Sequence, residues 1–224
     1  DYTVAYSIPC ISGKDSMKND YGIGDHKISI PPTVLFSVIG RIEDVRRACT
    51  MDLKRAGDLV YVLGLTRDET GASEYNALRG CIGNKVPQVN APQALARYRA
   101  LHAAISGGLV RSCHDCSDGG LGVALAETAF AGGLGLEVDL RGVPAEAVDR
   151  NDTLLFSESQ SRFVVSIAPE SRAAFESCMQ ATVWACIGTV RADTRFSVTG
   201  LAGTPVVTAD LQTLKAAWQK TLDF

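Results

Sequence analysis

The stretch that most constrains this chain is Ser112-Cys113-His114-Asp115-Cys116-Ser117-Asp118-Gly119-Gly120-Leu121, followed by the apolar run GVALAETAFA. Polar and acidic side chains crowd in front of a glycine pair. A helix begins there, because Asp and Ser cap helix N-termini and the run beyond is rich in alanine and leucine. Ahead of it lies a strand or loop end. Backbone N–H groups and the positive end of the helix dipole face whatever sits before such a helix. Carboxylates beside that point hold the cation that accompanies a phosphate. The stretch points to a magnesium–nucleotide corner.

Composition removes other classes. The chain has 224 residues, of which 46% are hydrophobic, enough for one large or two small domains with a core. Formal net charge is −3, so no basic excess invites nucleic acid or an anionic membrane surface. No apolar run nears the roughly 20 residues that span a bilayer. The start, Asp1-Tyr2-Thr3-Val4, has no signal-peptide pattern and no initiator Met, and reads as a fragment or processed product. Seven cysteines without scaffold spacing fit a reducing cytoplasm, with most of them as small core residues.

Along the chain, residues 22–33 read as a loop, with Gly22, Gly24, Pro31 and Pro32. Residues 33–42 (TVLFSVIGRI) and 59–64 (LVYVLG) read as buried strands. Ser73 caps a short helix reaching residue 80. A helix over 92–105 carries Leu95, Tyr98, Leu101 and Ile105 on one face, and Gly107-Gly108 ends it. A helix over 120–131 follows, broken at Gly132-Gly133. Strands are expected at 134–140, 163–167, 183–190 and 195–199, with loop over 141–152 that has room for a turn of helix. Helices are expected over 169–179 and after Asp210, the last burying Leu211, Leu214, Ala217, Trp218 and Leu222. This mixture is α+β: a sheet covered by helices on one face.

Each motif has a plain alternative. Ser12-Gly13-Lys14-Asp15-Ser16 has the Gly-Lys-x-Ser elements of a phosphate loop, but Ile8-Pro9-Cys10 leaves no glycine cradle, so it is not a P-loop. A solvated turn remains open for it. Cys113-x-x-Cys116 lacks a second cysteine or histidine pair for zinc and lacks a βαβ setting for redox work. Asp115 is either a ligand or a solvated loop residue. Ser117 or Asp118 caps the helix in either case. Ser157-Glu158-Ser159-Gln160 is either a polar pocket lining or a polar turn before a strand. Arg162 is positioned to pair with Glu158.

Taken together and in this order, SGKDSMKND, HDCSDGGLGVALAETAFAGG and LFSESQSRFVV resemble one family. They are similar to phosphoribosylformylglycinamidine synthase, in the C-terminal part of its synthetase subunit, within the aminoimidazole ribonucleotide synthetase-like superfamily. The resemblance spans nearly the whole chain. It implies that residues 1–50 are the tail of an ATP-binding ferredoxin-like domain and that residues 51–224 are the C-terminal synthetase domain. It implies an ATP- and glutamine-dependent C–N ligase of purine biosynthesis, acting on formylglycinamide ribonucleotide. Its cofactors would be ATP or ADP and Mg2+. Its partners would be a glutaminase domain or subunit and the first half of the same synthetase, with no nucleic acid and no membrane.

The resemblance also implies roles. Gly13, Lys14 and Ser117 would bind nucleotide. Ser16, Glu158, Ser159 and Gln160 would bind substrate. Asp15 and Asp115 would ligate metal. Lys14 stands where shorter relatives have a metal-ligating Asn; Lys offers only donors, so either Asp15 takes the metal or Lys14 supplies part of its charge. Because the first-half substrate residues and a base-like histidine are absent, the chain alone is expected to be inactive as a synthase. Two alternatives are a non-catalytic, nucleotide-holding structural half-domain and a related kinase such as thiamine-monophosphate kinase.

Overall fold

The computed structural model describes residues 1–13, 20–29 and 34–220. They fall into two compact units, Asp1–Val45 and Arg46–Phe224.

In the first unit, a short helix α1 (Tyr2–Ala5) is followed by strands β1 (Asp20–Ile23) and β2 (His26–Ser29). These strands pair antiparallel across Gly24-Asp25, with Gly24 at φ +56°. The expected loop at 22–33 is therefore a hairpin in part: Gly-Asp is a two-residue turn that a count of loop-forming residues overlooks. The apolar run expected as a buried strand forms none over 34–42. Leu35 is 87% and Ile39 92% exposed. An apolar strand is buried only by sheet neighbours, and the described part of this unit supplies a single two-stranded ribbon.

The second unit is built on a sheet. In order come β3 (Leu59–Leu63), β4 (Thr66–Arg67), α2 (Glu74–Leu78), α3 (Ala91–Ser106), β5 (Ser112–Asp115) and α4 (Gly120–Gly132). Then follow β6 (Leu136–Asp139), β7 (Ala145–Glu146), α5 (Asn151–Phe156), β8 (Phe163–Ile167) and α6 (Arg172–Met179). The unit closes with β9 (Trp184–Val190), β10 (Arg195–Thr199), β11 (Pro205–Asp210) and α7 (Leu211–Gln219). Seven strands lie in the order β11-β10-β6-β9-β3-β8-β5. β10 and β6 are parallel and the other neighbours antiparallel. The α+β class with a mixed sheet stands.

Helices cover both faces of this sheet, not the single face expected. β3 is apolar at every position, so its alternating side chains need cover on each side. Val60 and Val62 pack with Leu121, Leu125, Leu154 and Leu211, from α4, α5 and α7. Tyr61 and Leu63 pack with Leu101, Ala104, Phe175 and Met179, from α3 and α6.

Other departures are local. α3 buries Ala94, Arg97, Leu101 and Ala104, turned by one residue from the expected stripe, because Arg97 Nη1 donates to the Ser161 carbonyl at 2.7 Å. The turn of helix allowed within 141–152 forms at its two ends, as a tight turn over Leu140–Gly142 and as the start of α5 at Asn151. In α7 Leu211 is buried and Trp218 is 53% exposed; Leu222 lies outside the described residues. Ser73 and Asp210 cap α2 and α7, accepting from Asn76 N and Gln212 N.

Candidate nucleotide corner

β5 is an edge strand of the seven-stranded sheet, and it pairs with β8 so that Asp115 stands opposite Phe163 and Ser112 opposite Ser166. That register brings the segment after β5 against the segment before β8. Cys116 N donates to the Arg162 carbonyl at 3.0 Å, and Gly119 N donates to Glu158 Oε1 at 2.9 Å. The two motifs are far apart in sequence and form one corner in the fold.

α4 starts at this corner through two glycines with left-handed backbones, Gly119 at φ +76° and Gly120 at φ +64°. Gly119 holds the cap position and no side chain caps the helix, so the cap expected from Ser117 or Asp118 is not formed, Ser117 Oγ being turned to Asp115 instead. A Cβ on Gly120 would lie 2.3 Å from the Ser157 carbonyl oxygen. Only glycine lets the helix start that close to the other segment.

Asp115 is accessible, its side chain 59% exposed. Ser117 Oγ donates to Asp115 Oδ2, and that bond chiefly holds the carboxyl below its ordinary range. His114 Nδ1 lies 3.4 Å from Asp115 Oδ1, and His114 Nε2 lies 2.8 Å from Glu127 Oε2. Trp218 Nε1 donates to the other oxygen of Glu127 at 3.0 Å, tying α7 to the back of the corner. Neither Glu127 nor Trp218 carried a sequence signal for this role.

The second motif is largely consumed by the fold. Ser157 Oγ donates to the Arg67 carbonyl at 2.6 Å and accepts from Glu69 N at 3.2 Å. Ser159, 1% exposed, accepts Arg67 N–H at 2.9 Å. Glu158 Oε1 also accepts Glu74 N–H at 3.0 Å, at the start of α2. Gln160 is exposed, and its Nε2 donates to the Glu158 carbonyl at 3.2 Å. The expected Arg162–Glu158 pair is not formed. Arg162, 1% exposed, instead donates Nε to Ser159 O and Nη1 to Thr66 Oγ1, each at 2.9 Å, and Nη2 to Ser157 O. A buried guanidinium has five N–H groups to satisfy, and nearby carbonyls do so where one carboxylate, turned toward two helix starts, cannot.

Gly13 is exposed in the first unit, while Lys14, Asp15 and Ser16 lie outside the described residues. Among the described residues no three His, Cys, Asp or Glu side chains converge as a metal cage. Asp115 with Ser117 nevertheless fits magnesium as that ion is held beside phosphates, by one or two carboxylates with phosphate oxygens and water. Burial pushes the Cys113 thiol up to about 12 and Cys116 up to about 11, which disfavours thiolate chemistry. Cys116 is buried and Cys113, Cys178 and Cys186 pack against the core, as expected of most of the cysteines, while Cys10 and Cys81 are exposed. A separate cavity of about 360 Å³ carries Arg46, Arg47, Lys54 and Arg111 but none of the motif residues. Its Arg111 faces Asp58 and Glu170, and its Lys54 faces Asp52.

Comparison with known proteins agrees with this architecture. The chain is 45% identical over 163 residues to the phosphoribosylformylglycinamidine synthase subunit PurL of Alkaliphilus metalliredigens, covering 72% of this chain and 21% of that protein. It therefore spans about a fifth of that relative's length. Thermotoga maritima PurL complexed with FGAR matches with TM-score 0.67 at 22% identity, over 76% of this chain and 30% of the other. The same protein complexed with ATP matches with TM-score 0.62 at 21% identity, over 76% and 27%. At these identities the structures show the shared fold. The family model of the AIR synthase related protein C-terminal domain matches residues 55–200, the greater part of the chain, and the chain belongs to that family.

Proposed function

We propose that this chain is the C-terminal portion of a phosphoribosylformylglycinamidine synthase synthetase, with residues 1–50 the tail of its second ferredoxin-like domain and 51–224 its last domain. The observation that carries this reading is the 45% identity to a synthase subunit, over a region in which Asp115, Ser117 and the Gly119-Gly120 turn meet the 157–162 segment. In the reaction, ATP phosphorylates the formamide oxygen of formylglycinamide ribonucleotide, and ammonia from a glutaminase partner displaces the phosphate. Catalysis of this type rests on positioning and charge stabilisation. Magnesium, when bound, neutralises phosphate charge. Asp115 would hold it, with Ser117 orienting that carboxylate and contacting the nucleotide. Gly13, Lys14, Asp15 and Ser16 are the residues assigned to the reacting nucleotide, metal and substrate, and the first half of the synthetase completes the site. The setting is the cytoplasm, and the chain alone is inactive as a synthase.

A second reading is favoured by one feature: Glu158 and Ser159 are bound to backbone groups of their own domain. On that reading the corner holds ADP for structural reasons, and Glu158, Ser159 and Gln160 do not touch substrate. Asp115→Ala in the full-length synthetase separates the two. Lost turnover with unchanged melting marks a catalytic corner. Retained turnover with lower melting, and no further rise on adding magnesium–ADP, marks a structural one. If magnesium–ADP binds the variant as it binds the parent, both readings fail.

A further inference from the structure

We propose that Glu158 is a positioning residue that makes nucleotide binding at the Asp115–Ser117 corner depend on a divalent cation; this rests on the nucleotide reading above. One oxygen of its carboxylate accepts N–H groups from both Gly119, at 2.9 Å, and Glu74, at 3.0 Å. It thereby ties the start of α4 to the start of α2. The turn it holds has little freedom to rearrange, because Gly120 is pressed against the Ser157 carbonyl and Cys116 is bonded to Arg162.

Glu158 also sets the charge of the corner. Its carboxylate takes the Gly119 N–H, a donor at the mouth of the helix that an incoming phosphate would otherwise use. It is half-buried, and through Gly119 it brings a carboxylate to the residue that follows Asp118. Neither 112–121 nor 157–161 contains Lys or Arg. Arg162 is buried behind the corner, with all three of its guanidinium nitrogens donating to Ser159, Thr66 and Ser157. His114 is turned to Glu127 and Asp115. A nucleotide phosphate arriving here meets carboxylates and no basic side chain from these segments, so a divalent cation must lie between them. Glu158 strengthens that requirement while fixing the turn that presents Asp115 and Ser117.

The test is calorimetric titration of ADP into the parent chain, Glu158→Gln and Glu158→Asp, each with magnesium and with a chelator, alongside thermal melting. A glutamine oxygen still accepts both N–H groups and carries no charge. The ratio of affinities with and without magnesium is expected to fall roughly threefold or more in Glu158→Gln, the scale of one partly exposed charge pair. Glu158→Asp keeps the charge but is one methylene too short for both N–H groups. It is expected to weaken ADP binding while keeping the parent's magnesium ratio. A merely structural glutamate would leave that ratio unmoved in both variants. A parent-like ratio in a folded Glu158→Gln overturns this proposal alone. If Glu158→Gln does not fold, Glu158→Ala, which also removes the charge, takes its place: a ratio that falls supports the proposal and a parent-like ratio overturns it. A parent chain that binds no ADP in magnesium overturns the nucleotide reading along with it.

Discussion

Replacing Arg162 by methionine removes a guanidinium that is 1% exposed and joins three segments. Its nitrogens donate to Ser159 O, Ser157 O and Thr66 Oγ1. A hydrogen bond from a charged donor contributes about 1.5–3 kcal/mol, but burying the charge costs several kcal/mol, so the three bonds do not simply add. What the methionine leaves is two carbonyls and a hydroxyl that lose a donor in a dry site, at about 1–3 kcal/mol each. Relaxation of the segment offsets part of this, and the expected loss is about 3–5 kcal/mol, comparable to breaking a buried ion pair. That is a large share of a domain's usual stability of about 5–15 kcal/mol. In urea, with a slope of about 2 kcal/mol per molar, the midpoint should fall by about 1.5–2.5 M. Trp184 reports the second unit, since its ring lies 5.8 Å from Tyr61 in the sheet. Arg162→Lys should recover only part of the loss, because one ammonium cannot span three separated acceptors. A loss below about 1 kcal/mol at unchanged slope would show that the guanidinium is replaceable and that the corner is held by other contacts.

Gly120→Ala places a Cβ 2.3 Å from the Ser157 carbonyl oxygen at a φ of +64°. The left-handed backbone and the overpacking together are expected to cost about 2–4 kcal/mol, read as a lower melting point; a cost under about 1 kcal/mol refutes the close approach. Cys116 ionises at about 11 in the fold against 9.0 in its ordinary state, because burial penalises the thiolate. Its folded value is raised, so its contribution is complete below the ordinary value and is lost as pH climbs through the window between the two. Urea midpoints should fall through that alkaline window, and Cys116→Ala should flatten the fall; equal slopes in the two proteins refute the assignment. In the folded chain a thiol reagent should modify Cys10 and Cys81 first and Cys116 only on unfolding, as mass spectrometry of a time course can show.

Much of the fold was legible because it is written in local patterns. The LVYVL run is apolar at every position and became the interior strand β3. Ser73 and Asp210 were readable as caps, since a cap needs only its own oxygen and an N–H two or three residues on. The 34–42 run shows the limit of that reading: it has the pattern of a buried strand and no sheet beside it among the described residues. β11 went unread because an edge strand with exposed alternate positions has little apolar periodicity. The second helical layer went unread because periodicity says that a strand needs cover on both faces, not which helices supply it.

At the candidate site, the residues after β5 were readable as a helix-start corner because Asp, Ser and paired glycines act through their own backbone. The partners of Glu158, Ser159 and Arg162 were not. Those side chains bond to Gly119, Glu74, Arg67 and Thr66, which are distant in sequence. The amino-acid sequence by itself determined most strands of the larger sheet, the Ser73 and Asp210 caps, the glycine turn and the family, but not the start of α4, where no side chain caps the helix. The tertiary structure alone decided that β5 lies against β8, and so which polar groups of 157–162 serve the backbone and which face the corner. Strand order is set by long-range burial, and a side chain's hydrogen-bond partner is whatever that burial brings within reach.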